Sequence, residues 1–147
     1  MMGRMLGLDV GGRRIGVAVS DALGMIASPV RFIQRGPKVI DELRDLVARY
    51  DAVQLVAGLP VGLSGREGPQ AAEVRAFADA AAKAVALPLA YWDERLTSTM
   101  AERSLIASGT RRAKRREQID AVAAAIILQG YLDSRRRSRE SGVGSRE

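Results

Sequence analysis

Short apolar runs separated by glycine open the chain, and each run has the length of a strand. Residues 4–10 (RMLGLDV) are apolar except at their ends, Gly11, Gly12 and Arg13 have the composition of a tight turn, and residues 14–20 (RIGVAVS) read as the returning antiparallel strand. Asp21 to Gly24 signals a second turn. Residues 25–33 follow as a third strand, where Pro29 implies an edge position or a bulge. The period then changes. Val39, Ile40, Leu43, Leu46, Val47 and Tyr50 recur at helical spacing over residues 38–50, with Pro37 placed for a first turn. Val53 to Ala57 is a short buried-type strand, and residues 58–68, with four glycines, form a loop. Pro69 opens a helix whose Val74, Phe77, Ala78, Ala81 and Val85 share a face, and Leu87 to Trp92 returns to strand. Thr99 and Glu102 have the spacing of a capping box for a helix ending near Ser108-Gly109, and a last helix runs from about Ile119 to Asp133.

This order, three strands and then alternating helix and strand, predicts an α/β domain over residues 1–133 with a mixed sheet covered by helices. From Ser134 onward the chain is Arg, Ser, Gly and Glu with one Val, so residues 134–147 are expected to be a disordered basic tail. No internal repeat is visible.

Composition narrows the chemistry. The hydrophobic share of 47% supports one core, and the 4% aromatic content means that aliphatic residues must build it. The chain has neither Cys nor His. That removes disulfides, thiol nucleophiles, imidazole bases and the usual zinc ligands. Carboxylate chemistry remains, for which Mg²⁺ or Mn²⁺ is the matching cation. Lys and Arg number 23 against 17 acids, a net charge of +6, which favours a polyanionic partner such as nucleic acid. Residues 1–10 are interrupted by Gly3, Arg4 and Asp9, unlike a leader peptide, and no apolar run has the length of a membrane span. The expectation is a cytoplasmic protein without a membrane partner.

Three acids stand where a cation site could form. Asp9 ends an apolar strand just before two glycines, and burying it there calls for a cation or hydrogen bonds, although Asp also caps such turns. Asp93 and Glu94 follow the apolar run 87–92, at a strand end where ligands collect, with Arg95 nearby as an ordinary ion-pair partner. Asp120 is placed in the first turn of the last helix, a position that the helix dipole alone favours, with Glu117 as a further ligand candidate on the same face. The basic run Arg111, Arg112, Lys114, Arg115 and Arg116 just before Asp120 would deliver phosphates to such a site. Two divalent ions bridged by acids of this kind activate water and stabilise the leaving oxygen of a phosphodiester. The loop 58–68 lacks the Gly-Lys-Ser/Thr ending of a Walker A loop, and Ser64 has no neighbouring base.

Four segments together resemble the bacterial YqgF/RuvX family: LGLDVGGRRIGVAVSD (6–21), GLPVGLSGREGPQA (58–71), DERLTS (93–98) and IDAVAAAIILQGYLD (119–133). The resemblance implies a ribonuclease-H-like fold with sheet order 3-2-1-4-5 and helices on both faces. It implies a divalent-metal-dependent nuclease, either processing the 5′ end of pre-16S ribosomal RNA or resolving Holliday junctions. It places the catalytic and metal-binding acids at Asp9, Glu94 and Asp120, and turns Arg14 and the loop 58–68 toward substrate. Two departures stand out. Gly12 and Arg13 replace the Thr or Ser and the Lys that the family often has, and the fourth strand ends without the acid found in the related RuvC resolvases. Glu94, two strands from Asp9 and about 9–10 Å away along the sheet, would have to substitute. A non-catalytic nucleic-acid-binding factor is the alternative of another class, and a small ATP-using protein is disfavoured because no second half closes over a nucleotide. The sequence leaves monomer and homodimer open.

Overall fold

In the computed structural model, which describes residues 3–62, 64–96 and 112–141 and the side chains of 3–62, 64–96 and 119–138, the alternation along the strands sorts side chains to two faces of one sheet. The strands are β1 (Arg4–Val10), β2 (Arg14–Ser20), β3 (Ala27–Gln34), β4 (Ala52–Leu59) and β5 (Leu89–Asp93). They lie in the order β3-β2-β1-β4-β5. β1–β2 and β2–β3 pair antiparallel, and β1–β4 and β4–β5 pair parallel. This is the mixed five-stranded sheet in the order that the resemblance implied. β3 is an edge strand, and its register against β2 slips at Pro29, where a proline cannot donate to the ladder.

One face packs against α1 (Val39–Tyr50) and α2 (Pro69–Val85). Leu6, Leu8, Ile15, Val17 and Leu55 are almost fully buried there with Leu43 and Leu46 of α1 and Val74 and Ala78 of α2. Each large aliphatic contributes about 1.5–3 kcal/mol by burial, so this face is the larger source of stability. Both helices end on a left-handed residue, Asp51 and Ala86, whose N–H closes the last turn. β4 runs to Leu59, two residues beyond the expected strand, and so takes Gly58 out of the loop.

The other face carries α3 (Arg112–Ser141). Ala124, Ala125, Ile127, Leu128 and Leu132 pack on Ala18, Val56 and Trp92. Two expectations are corrected here. The helix begins at Arg112, so the basic run starts it and Asp120 lies more than two turns inside. The ordinary dipole explanation for Asp120 therefore fails, because that effect is confined to the first turn. The helix also continues through Ser134 to Ser141, where fraying was expected. Arg135 lies 5.8 Å from the Tyr131 ring centroid and Arg136 pairs with Asp133 at 2.9 Å, local contacts that favour helix in an Arg-rich segment. The helix expected near residues 99–109 lies outside the described residues. Among the described residues, no helix is long and apolar enough to cross a membrane.

α3 approaches the sheet closely because strand positions beneath it lack a side chain. A Cβ at Gly7 would stand 2.7 Å from Leu128 Cβ, and one at Gly16 would overlap the Asp120 carbonyl oxygen. Gly16→Ala is expected to push the helix off the sheet and cost about 1–3 kcal/mol or more, measured as a lowered urea midpoint. An unchanged midpoint would contradict this packing.

Candidate nucleic-acid cleavage site

Strand register decides which acids meet. Asp9 pairs with Gly16 on β2, and β1 runs beside β4 with Leu8 opposite Ala57. Continuing by one residue sets Asp9 beside Gly58, which itself pairs with Trp92 of β5. Gly16, Asp9, Gly58 and Trp92 thus form one row across the sheet at the carboxyl ends of β1 and β4, on the face that α3 covers. Asp9 is flanked by a glycine on each side, and both glycines let α3 come close to the sheet beside it, Asp120 at Gly16 and Ile127 at Gly58.

The Asp120 backbone and the Glu94 carboxylate lie beside this row, over Gly16 and Gly58 respectively. Asp120 sits on α3 directly over Gly16. Glu94 follows β5 in a 3-10 turn (Glu94–Leu96) and folds back toward β4, where a Cβ at Gly58 would lie 3.0 Å from its Oε2. Gly58 is therefore what compensates for the missing acid at the end of β4, because an empty position there admits the carboxylate from the next strand. The sequence reading put Gly58 in the loop and gave it no role. Its signal was present, since a glycine inside a strand marks close approach. Asp9, Glu94 and Asp120 are all half-buried.

Asp120 has an unusual environment. Its Oδ2 is buried and, among the described residues, accepts no hydrogen bond. Arg14 Nε stands 2.8 Å from that oxygen. The short distance makes this an ion pair, but the N–H points off the line, so the oxygen keeps a lone pair uncommitted. Arg14 is held from its other side by Phe32, whose ring centroid is 5.3 Å from the guanidinium carbon. An open cleft of about 440 Å³ lies beside the pair, lined by Gly11, Gly12, Arg13, Arg14, Gln34 and Asp120. A smaller cavity of about 220 Å³, lined in part by Met5, Leu23, Met25 and Arg135, lies at the amino ends of β1 and β4 and contains none of these acids.

The donor set suits a hard divalent cation, being all oxygen, and the uncommitted Asp120 Oδ2 is the kind of atom such an ion satisfies. Among the described residues, no group of three acids stands close enough to enclose an ion. With Arg14 beside Asp120, the arrangement is an open one.

Asp93, considered as a further ligand, is engaged elsewhere. Arg95 Nη2 donates to its Oδ2 at 2.6 Å, and Arg95 Nε lies 3.1 Å from both carboxylate oxygens. This guanidinium holds the Asp93 carboxyl below the usual range, which marks a structural ion pair. Arg112, Lys114, Arg115 and Arg116 fall on the first turns of the helix that carries Asp120, and Arg111 and the Glu117 side chain lie outside the described residues.

The loop after β4 is anchored as well. Val61 bridges Glu67, Gly62 N–H donates to Arg66 O at 2.9 Å, and Gly65 turns at φ 86°. Glu67 accepts two 2.7 Å hydrogen bonds from Arg75 of α2, whose guanidinium stacks 4.6 Å from the Tyr91 ring centroid. Tyr91 in turn donates to Asp79 at 2.7 Å, and burial, then Asp79, pushes its hydroxyl pKa well up. Sequence reasoning missed this clamp, since its members are far apart along the chain.

The family model described as RuvX, Holliday junction resolvase, matches residues 3–134. The chain belongs to the RuvX family. A relative from Chloroflexus aggregans bearing the name "Putative pre-16S rRNA nuclease" is 49% identical over 134 residues, covering 90% of this chain and 94% of its own. A relative of the same name from Heliobacterium modesticaldum is 44% identical, covering 90% of each. Among solved structures, T. thermophilus RuvC in complex with a Holliday junction substrate has a similar fold, with a TM-score of 0.58 at 16% identity over 91% of this chain and 96% of that one. For this RuvX-family chain the ribonuclease-H-like architecture is thus found both in its own sheet order and in a structural relative.

The Glu67–Arg75 clamp makes a pH prediction. Arg75 lowers the Glu67 pKa below its ordinary value of 4.5. A depressed carboxylate contributes anchoring that is complete above that ordinary value and is lost as pH falls through the lowered one. Hydrogen exchange at the Gly62 and Gly65 amides is therefore expected to stay protected from neutral pH down to mildly acid conditions, and to lose protection at all pH values in Glu67→Gln. Equal protection in the variant would remove the clamp's role.

Proposed function

We propose that this RuvX-family protein is a divalent-metal-dependent nuclease that hydrolyses phosphodiester bonds, with precursor 16S ribosomal RNA as substrate. The reading is supported by Asp9 lying in one row with Gly16, Gly58 and Trp92, by Glu94 Oε2 coming against Gly58, and by the Asp120 backbone lying over Gly16. The names of relatives that are 44% and 49% identical over nine-tenths of the chain support the substrate class.

In this reading Asp9, Glu94 and Asp120 hold Mg²⁺ or Mn²⁺. The bound ion supplies an activated water and charge stabilisation for the leaving oxygen. The chain's own residues do the rest. Gly16 lets the Asp120 backbone lie against β2, and Gly58 leaves room for Glu94 Oε2 and the Ile127 side chain beside Asp9. Arg14 and the basic first turns of α3, Arg112 to Arg116, draw the polyanion toward the carboxylates. The Val61–Glu67 bridge closes the loop that follows β4, the strand beside Asp9.

A second reading, resolution of branched DNA, is favoured by the family's description. The same carboxylates and basic residues serve it, and the difference rests on which polymer is cut. One preparation should therefore be offered precursor 16S RNA and a four-way DNA junction. Cleavage of the RNA is expected, and cleavage of the junction alone would transfer the assignment to recombination. Asp9→Asn keeps the shape of the side chain and removes its charge. It is expected to lower metal-dependent cleavage about a thousandfold while leaving nucleic-acid binding and melting temperature close to wild type. Full cleavage by Asp9→Asn would eliminate the metal mechanism and favour a binding factor without catalysis.

A further inference from the structure

The cleft beside Asp120 contains more positive charge than one ion pair uses. Arg13 is exposed at the β1–β2 turn and, among the described residues, makes no ion pair. The turn is rigid: Gly11 N–H donates to Arg14 O at 2.9 Å, Arg35 N–H donates to Arg13 O at 2.8 Å, and Arg35 Nη1 donates to Gly11 O at 2.9 Å. Gln34 pairs with Arg14 across β2 and β3, and its exposed amide faces the same cleft. Gly12, with open space where a Cβ would be, lets a ligand come up to the backbone. These groups are donors and cations arranged around a space of about 440 Å³, with Asp120 as the acid in its lining. That is the chemistry of a phosphate site next to a carboxylate which must itself serve a cation.

We infer that this cleft is a phosphodiester subsite formed by Arg13, Arg14, Gln34 and the Gly11-Gly12 turn, and that a phosphate seated there withdraws Arg14 from Asp120 and so opens Asp120 to the metal. The inference rests on the nuclease reading above. Its physical basis is competition for one atom. Arg14 stands at Asp120 Oδ2, the buried oxygen that accepts no hydrogen bond, and the pair is misaligned, so it is weaker than its distance suggests. The Arg14 side chain is 45% exposed and that of Asp120 21%, so the arginine can leave toward solvent while the carboxylate cannot follow. A phosphodiester offers the guanidinium two oxygens in fork geometry, a better partner than the one that Asp120 presents. Binding of phosphate and binding of the cation are then positively coupled, each raising the affinity for the other by the same factor. Metal would be held weakly until substrate arrives.

The test measures Mn²⁺ affinity by the loss of the free-ion paramagnetic resonance signal, with no cleavage involved. Wild type, Arg14→Gln and Arg13→Gln are titrated without nucleic acid, then with dimethyl phosphate against sodium chloride at matched ionic strength. Arg14→Gln is expected to bind Mn²⁺ about tenfold more tightly than wild type. Arg13→Gln, which removes the same charge from the same turn without touching Asp120, should change the affinity less than about twofold. Dimethyl phosphate should tighten Mn²⁺ binding in wild type and have no effect in Arg14→Gln. Equal affinities in wild type and Arg14→Gln, equal gains in both variants, or no response of wild type to dimethyl phosphate would each overturn the subsite's coupling to the metal. Any of those results with Asp9→Asn still inactive would leave the nuclease reading in place, whereas cleavage surviving Asp9→Asn would remove the reading itself.

Discussion

The close approach of α3 to the sheet governs the site. A helix is normally held off a sheet by the side chains between them. Here Gly7 and Gly16 remove that layer, and small residues such as Ala124 face them from the helix. The backbone of Asp120 can therefore lie against β2. Any side chain at Gly16 would raise the helix and move Asp120 with it. The apolar contacts of Ala18, Val56, Trp92 and Leu128 fix the height of the helix that carries Asp120.

The second constraint is a substitution of one backbone position for a side chain. With no acid at the end of β4, the Glu94 carboxylate of the turn after β5 comes over Gly58. Such a site depends on the conformation of the Glu94–Leu96 turn, and Asp93 with Arg95 is the ion pair that fixes that turn from the strand side. On the other flank, Arg75 joins Glu67 to α2 while resting on Tyr91, and so ties the Gly-rich loop to the helix layer of the main core. Exposed ion pairs contribute little stability singly. Their value here is that they fix the direction of segments which have few apolar contacts of their own.

Charge is arranged so that attraction and protection use the same residues. Arg14 supplies the positive charge that stands beside the part-buried Asp120 carboxylate. Among the described residues the arginine is kept near by Phe32 and by no second acid, so its attachment is weak enough for a phosphate to compete. The basic first turns of α3 then belong to the same rigid element as Asp120, so polyanion binding on that helix and the position of its carboxylate are mechanically linked.

Much of this was written in the local pattern. Apolar runs of strand length, the change of period at residue 38 and Pro69 at a helix start specify the elements, because side-chain direction follows from local geometry with periods of 2 and 3.6. The order of those elements leaves few topologies, and the four motifs named the superfamily from residues 6 to 133. Asp9, Glu94 and Asp120 were legible as candidates for the same reason, each being an acid at an apolar element's end or within an apolar helix. What the sequence did not determine was everything that depends on how elements stack. The basic run joined a helix and did not form a loop, since tertiary contacts of the downstream apolar face support the whole of α3. Gly16 and Gly58 gained their roles from atoms more than thirty residues away, and Asp93 was separated from Glu94 by the direction in which one turn folds. Local pattern fixes where a side chain points from its own strand or helix. Only the packed structure decides which distant atom it meets, because that distance is set by the size of the residues lying between the layers.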